Sequence, residues 1–407
     1  MGEILFLTHR VPWPPNRGDK IRSHHFLQKL MDCAPVHVAC FAEDEEEQSL
    51  SWERKAELAS WELVLRKKPQ LLGGIEAILA GKPVSLTCFD SAEIRAYVAH
   101  VIATRPIDCI FVFSGQMAQF IPENFHGRVV MDFADVDSAK FESYAEDGSG
   151  PMAWVNRREG RLLRAFEKDV AERADHSLFV SEAEARLFRQ RSGLAEDRVK
   201  AVGNGIDLEF YGAPDVQPEG LEQSGPMILF TGQMDYQPNV QAVQSFSQQV
   251  MPAILARCPE ARFAIVGRSP TDKVMQLDGK NGTVVVGAVD DIRSWIMAAD
   301  VVVAPLRIAR GIQNKVLEAM AMGKAVVASQ CAAEGIDAIN GEHFLIADSV
   351  DDEAQLTCEL LQDSERAERL GEQAKQLIHA QYSWAKQLTG LPALCGFSEP
   401  AVAEAAE

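Results

Sequence analysis

The sequence predicts an α/β protein of two Rossmann-like domains, and three observations predict it. At 407 residues the chain is too long for one ordinary core, and two domains of roughly 200 residues are expected. Short apolar runs alternate with longer stretches of helical period in both halves, the pattern of a parallel sheet with crossover helices. Between the halves, residues 212–226 hold three prolines, three glycines and no apolar period, which reads as a linker. The expected divisions are 1–211, the linker 212–226, 227–384, and a C-terminal helix and tail at 385–407, with return to the first domain as one option.

Each element has its own signal. Glu3–Thr8, Val36–Phe41, Cys109–Phe113, Val129–Phe133 and Ser177–Val180 are short apolar runs and read as strands, with Trp61–Arg66 a weaker one. Asp19–Met31 and Asp90–Thr104 read as helices. Arg158–Ala174 carries Leu162, Leu163, Phe166 and Val170 at helical spacing. The next helix opens on Ser181 with Glu184 three residues on, a capping box. In the second half, Met227–Thr231, Arg262–Val266, Thr283–Val286, Val301–Ala304 and Ala325–Ser329 read as strands. Val240–Ala256, Gln313–Met322 and Glu365–Gln381 read as helices, and Ala385–Leu388 begins another. Ligand chemistry is expected at the carboxyl ends of the strands, in a cleft between the two halves.

Composition excludes several functions. A net charge of −19 argues against nucleic acid as the main partner, which needs a basic footprint. The eight cysteines form no CxxC pair and several sit in apolar runs, which suits buried thiols in a reducing compartment. The apolar run Ile4–Leu7 is too short for a signal peptide, and no uncharged stretch approaches the ~20 residues of a membrane span. A cytoplasmic location is expected, with peripheral contact at the inner membrane as an option. Leu71, Leu72, Ile75, Ile78 and Leu79, beside Arg66, Lys67 and Lys68, are the candidate membrane face. A buried amphipathic helix is the alternative reading. There is no GxxxxGK[ST], GxGxxG or HExxH. His9, His24 and His25 have no carboxylate at a convincing ligand spacing, so no metal site is expected.

The segment from Gly311 to Val327 carries the most chemistry. It reads loop, helix, Gly323 stop and buried strand. Gly311, ahead of the helix, would let a ligand approach the first free backbone N–H groups, whose dipole suits a diphosphate. Val316, Leu317, Met320 and Ala321 supply the apolar face, so Lys315 and Glu318 are expected to project together away from the core. A cation near the phosphates and a carboxylate one turn deeper match a nucleoside diphosphate, with Glu318 accepting both ribose hydroxyls. Each charged hydrogen bond is worth ~1.5–3 kcal/mol. An exposed i,i+3 ion pair worth ~0.2–0.5 kcal/mol is the alternative.

That segment resembles the signature of the family-4 retaining glycosyltransferases of GT-B fold. Further matches run along the chain: His9 to Ser23, Asp132 to Ser138, Val180 to Ala185, Asn204 to Asp207, Gly232 to Asn239, and Tyr382-Ser-Trp384. The set also resembles a subgroup linked to bacterial exopolysaccharide and exosortase (PEP-CTERM) systems. The resemblance implies two Rossmann-like domains facing each other across a cleft, the first for the acceptor and the second for the nucleotide sugar.

The family's Glu-x7-Glu motif places its second Glu, the ribose ligand, at Glu318. Its first falls at Arg310, a departure. The family's Arg and Lys after the first strand of the second domain fall at Gln233 and Asn239, a second departure. Arg310, Lys315 and Arg268 are the candidates for the missing charge at the leaving group, where this reaction class gains most of its rate. Gly232 and the loop 287–290, with Val289 at the base, complete the donor set. The resemblance implies that in the first domain the loop from Val11 to Gly18 borders the diphosphate and acceptor, a structural strand–helix turn being the alternative. Arg17, Lys20 and Arg22 are candidate phosphate ligands there, solvent-facing helix charge being the alternative for the last two. Asp135, then Asp132, are the candidates beside the transferred sugar, a turn or cap role being the alternative. Asn204–Asp207 is expected to act as a hinge, with Gly205 in a left-handed turn.

The resemblance therefore implies transfer of a sugar, with retention and without a metal or cofactor, from a UDP- or GDP-linked donor to a hydroxyl of a glycan or lipid-linked acceptor. A nucleotide-sugar 2-epimerase and a non-catalytic nucleotide-sugar sensor are the rivals.

Overall fold

The apolar runs of the first half become seven parallel strands: β1 (Glu3–Thr8), β2 (Val36–Ala42), β3 (Ser60–Leu65), β4 (Ile107–Phe113), β5 (Arg128–Ala134), β6 (His176–Phe179) and β7 (Val199–Ala201). Their order in the sheet is β3-β2-β1-β4-β5-β6-β7. All residues of β1 and β2 are buried, because crossover helices cover both faces of a parallel sheet and leave no solvent side to alternate with. The second half repeats the plan in six parallel strands: β8 (Met227–Thr231), β9 (Arg262–Val266), β10 (Thr283–Gly287), β11 (Val301–Ala304), β12 (Val326–Ser329) and β13 (Leu345–Ala347). Their order is β10-β9-β8-β11-β12-β13. The winding direction reverses between β1 and β4 in one sheet and between β8 and β11 in the other, and such switch points are where open α/β sheets bind ligands. This computed structural model describes residues 2–15, 17–50, 56–66, 70–212, 216–221, 225–308 and 312–399.

The chain divides differently from the sequence expectation. One unit is Met1–Gly203 with Leu388–Glu407, and the other is Asn204–Gln387. The expected linker is therefore not a spacer. Where it is described it packs on the second unit: the Glu219 amide donates to the Ser294 carbonyl at 3.1 Å, and Leu221 lies against the apolar core. Prolines and glycines set the path of this segment without freeing it from the domain surface. The crossing itself is at Asn204, and Gly205 is not left-handed. A Cβ on Gly205 would stand 2.5 Å from the Trp384 backbone, so the glycine is there for close approach. Beside it the Ile206 amide donates to the Tyr382 carbonyl at 2.6 Å.

Some helix starts are capped by a side chain and others are not. Ser91, Ser181, Ser329 and Ser349 each accept a backbone N–H at a helix start. The Glu184 carboxylate does not close the box with Ser181; it accepts the Val136 amide at 2.8 Å and ties the Glu182–Ser192 helix to the end of β5.

Three expected ligand candidates, Asp132, Arg22 and Lys20, are structural. Asp132 on β5 is fully buried, with its carboxylate held bidentately by the equally buried Arg22 at 2.8 and 3.1 Å. Asp132 therefore does not face a transferred sugar, nor Arg22 a phosphate. Lys20 is also buried, paired with Glu47 and donating to the Trp13 carbonyl at 3.4 Å. Both side chains of the Gly18–Met31 helix turn inward, where the half-buried Glu47 and the buried Asp132 meet them. Breaking a buried pair strands a charge, so Asp132→Ala is expected to cost the first unit about 3–5 kcal/mol in denaturant unfolding. Arg22→Met with Asp132→Leu is expected to recover most of that loss.

Candidate functional site

The site forms at the second unit's switch point. β8 ends at Thr231, and Gly232 follows with its amide donating to the Val266 carbonyl at 3.1 Å. The Gly267 amide in turn donates to the Gly287 carbonyl at 2.7 Å. The three strand ends are thus stitched into one edge. Close packing there demands glycine: a Cβ on Gly267 would lie 1.6 Å from the Gly232 carbonyl oxygen. A Cβ on Gly232 would lie 2.8 Å from Asn239 Nδ2 and 3.1 Å from Lys315 Nζ.

The cation is brought by the Asn314–Ala321 helix, which follows β11. Lys315 Nζ donates to Asn239 Oδ1 at 2.7 Å and sits 4.2 Å from the centre of the Phe230 ring. Asn239 is itself oriented by donating to the Gln233 carbonyl at 2.9 Å. The two positions where the resemblance leaves a charge missing therefore serve Lys315, one by side chain and one by backbone. Burial pushes the Lys315 ammonium down to about 7, and the Glu318 charge opposes that fall. Burial raises Glu318, opposed by Lys315 and by the Tyr211 hydroxyl, which hydrogen-bonds it. This is not a solvated surface ion pair: both side chains are half-buried, and the ammonium is directed to Asn239. The projection away from the core that spacing implies is thus corrected to a position inside a polar recess of the unit.

Tyr211 went unnoticed in the sequence, where it lies 107 positions before Glu318 and at the edge of the expected linker. Its short helix, Leu208–Gly212, packs on Asn314–Ala321. Its neighbour Phe210 is fixed by Arg293, whose guanidinium stacks 3.8 Å from the ring centre and donates to the Phe210 carbonyl at 3.0 Å. Asn314 Oδ1, at the start of the same helix as Lys315, is buried without a hydrogen-bond partner among the described residues. An orphaned buried acceptor is costly, and a ligand hydroxyl would satisfy it. Among the described residues no side chain caps this helix, and a helix N-terminus of this kind suits an anion.

The other donor candidates ring this edge. Gln233 and Arg268 are exposed after β8 and β9, and Val289 is half-buried after β10, packed against the core. Arg310 and Gly311 lie outside the described residues. Among the described residues, no group of three or more His, Cys, Asp or Glu side chains is placed to hold a metal ion.

In the first unit, Asp135 is exposed just past β5, at the carboxyl edge. A Cβ on Gly18 would meet nothing within 4 Å, so the protein itself does not require glycine there. Arg17 is partly exposed and pairs with Asp19 at 3.2 Å and Glu43 at 3.4 Å. Burial acts to raise Asp19, yet His9, Arg10 and Arg17 hold its carboxyl well below the usual range. His9 is buried, stacked 5.7 Å from Phe113, with Nε2 3.3 Å from Asp19.

Two family descriptions match the chain: "Glycosyl transferases group 1" over residues 225–363 and "Glycosyltransferase Family 4" over residues 141–210. The first spans all described donor candidates from Gly232 to Glu318. A phosphatidyl-myo-inositol mannosyltransferase of Mycolicibacterium smegmatis is 29% identical over 230 residues, 55% of this chain and 56% of that one. Its Mycobacterium tuberculosis counterpart is 32% identical over 151 residues, 35% of this chain and 38% of that one. The chain thus matches about half, or less, of these relatives' lengths. Among solved structures, sucrose-phosphate synthase from Thermosynechococcus elongatus superposes with a TM-score of 0.70 at 18% identity, covering 97% of this chain and 98% of that one. Anabaena HepE in complex with UDP gives 0.66 at 16% identity, covering 96% and 98%. WaaG, a glycosyltransferase involved in lipopolysaccharide biosynthesis, gives 0.65 at 16% identity, covering 97% and 100%. The chain has the GT-B fold.

Lys315 is expected to titrate near neutrality. Competitive amine labelling read by mass spectrometry is expected to place its midpoint at about 7. Glu318→Gln is expected to move that midpoint lower, since it removes the charge that favours the ammonium. A midpoint in the ordinary lysine range would overturn the assignment.

Proposed function

We propose that this chain is a retaining glycosyltransferase that moves a sugar from a UDP- or GDP-linked donor to a hydroxyl of a glycan or lipid-linked acceptor in exopolysaccharide assembly. One observation carries the reading: a half-buried lysine and carboxylate, one turn apart, at the switch point of the second sheet. Lys315 and the helix terminus receive the diphosphate, and Glu318 receives the ribose hydroxyls. A carboxylate has about four acceptor sites, so the Tyr211 hydrogen bond leaves room for both. Arg310 is proposed as the second cation at the leaving group, with Arg268 and the backbone of Gly232 and Val289 completing the donor contacts. Asp135 is proposed to meet the sugar from the first unit. The named activities of the mannosyltransferase relatives and the UDP complex of HepE support the donor class.

Charge at the developing diphosphate is the main catalytic lever in such a site. Lys315 must be protonated to supply it. Its pKa is about 7 in the free protein and rises when an anion binds, so binding takes up a proton. Donor affinity is therefore full below about pH 7 and falls as pH climbs above it.

A thermal-shift screen of nucleotide sugars tests the reading, since a bound donor raises apparent stability by mass action. A UDP- or GDP-sugar is expected to stabilise the wild type, and Glu318→Ala is expected to weaken binding by about 10- to 150-fold, the ~1.5–3 kcal/mol of a charged hydrogen bond. Lys315→Met is expected to flatten the pH dependence measured by calorimetry. Asp135→Asn is expected to lower turnover and spare donor affinity. Tight donor binding with neither hydrolysis nor transfer on any acceptor would favour a sensor, and an epimerised free sugar would favour an epimerase.

A further inference from the structure

The helix Gly150–Arg173 of the first unit has two faces of different character. Ala153, Gly160, Leu163, Glu167 and Val170 are buried against the unit. A flanking face reads Trp154, Arg157, Arg161 and Arg164, spaced three and four residues apart and all exposed. Arg157 and Arg161 form no hydrogen bond or ion pair with any described residue. Together with Trp154 and Arg158 they line a shallow cavity of about 290 Å³.

Arg158 adds a second element to this face. Its guanidinium donates to the Ala77 carbonyl at 2.8 Å and the Lys82 carbonyl at 3.1 Å, which fastens the end of the Gln70–Ala80 helix to the arginine helix. At that end Ile78 is 55% exposed and Leu79 is 83% exposed. On the arginine helix itself Met152 is 65% exposed and Trp154 is 55% exposed. Four large apolar side chains in water around unpaired arginines have no structural purpose inside the unit.

We infer that this face docks on the surface of an anionic phospholipid bilayer. Trp154, Met152, Ile78 and Leu79 enter the interfacial layer, and Arg157 and Arg161 meet the phosphate groups. Charge complementarity selects this occupant. This face is cationic and apolar together, which a bilayer's phosphate layer over acyl chains matches and a nucleic acid, with no apolar layer, does not. Docking is peripheral: among the described residues no helix is long and apolar enough to cross a membrane. The inference does not depend on the glycosyl-transfer reading.

Flotation of the full chain with phosphatidylcholine vesicles, with and without a third of phosphatidylglycerol, tests it. The protein is expected to float only with the anionic vesicles and to release as salt is raised. R157A/R161A is expected to weaken partitioning by about 25-fold, about 5-fold per arginine. W154A/L79A is expected to weaken it by about 10-fold or more through lost apolar insertion. K273A/K280A, which removes equal exposed charge from the second unit, is expected to bind like the wild type. Vesicles are expected to blue-shift the tryptophan emission of the wild type and not of Trp154→Phe. Flotation that ignores lipid charge, no flotation at all, or wild-type behaviour of R157A/R161A would each overturn the inference. Release by inorganic phosphate at constant ionic strength would also overturn it, marking the cavity as a site for small anions.

Discussion

The contact of the Gly267 Cα with the Gly232 carbonyl is the constraint on which the second unit's chemistry rests. A side chain at Gly267 would push β8 and β9 apart, and one at Gly232 would displace Asn239 and the Lys315 ammonium. With both absent, the strand ends close into one edge, and the space beside Gly232 admits the Lys315 ammonium. Asn239 and Phe230 then hold that ammonium by a hydrogen bond and a ring face, neither of which neutralises it. The group is thus positioned and partly desolvated, with its ammonium form kept for pH below about 7 in the free protein. Such preorganisation makes a group effective toward a charged ligand, because little rearrangement accompanies binding.

The first unit uses its charges in the opposite way. Arg22 with Asp132, and Lys20 with Glu47, bury cations against carboxylates beneath the loop that follows β1. Their desolvation cost is offset by bidentate geometry in one case and by a second acceptor, the Trp13 carbonyl, in the other. What remains toward solvent at this edge is Arg17, Asp135 and the open space over Gly18. The number of basic residues in a motif therefore overstates how many of them meet a ligand.

Much of this was legible in the sequence. The strands of both sheets show as apolar runs because burial on two faces removes alternation, and Met227–Thr231, Arg262–Val266 and Val301–Ala304 fall where expected. β7 and β13 are missing from the sequence reading because three residues carry no period. The helix Val350–Gln362 was missed although Ser349 and three acidic residues announce its start. Lys315 and Glu318 were visible as a pair, but their burial was not, since it depends on Tyr211 and Asn239 from distant segments. Asp132 misled because a carboxylate at a strand's end has the same sequence context whether it meets a ligand or an arginine 110 positions away.

The crossing at Asn204 and the return at Leu388 make the first unit discontinuous in sequence. Its final piece includes Leu391 and Cys395, both buried, and Leu394, whose carbonyl accepts from Arg128 at 3.2 Å. On the ribosome this piece emerges only after the whole of the second unit. The first sheet must therefore wait, with part of its apolar surface uncovered, while 184 intervening residues are made. The chain order ties maturation of the earlier unit to synthesis of the later one, so a truncated product ending before Leu388 carries an unfinished core in the part that was made first.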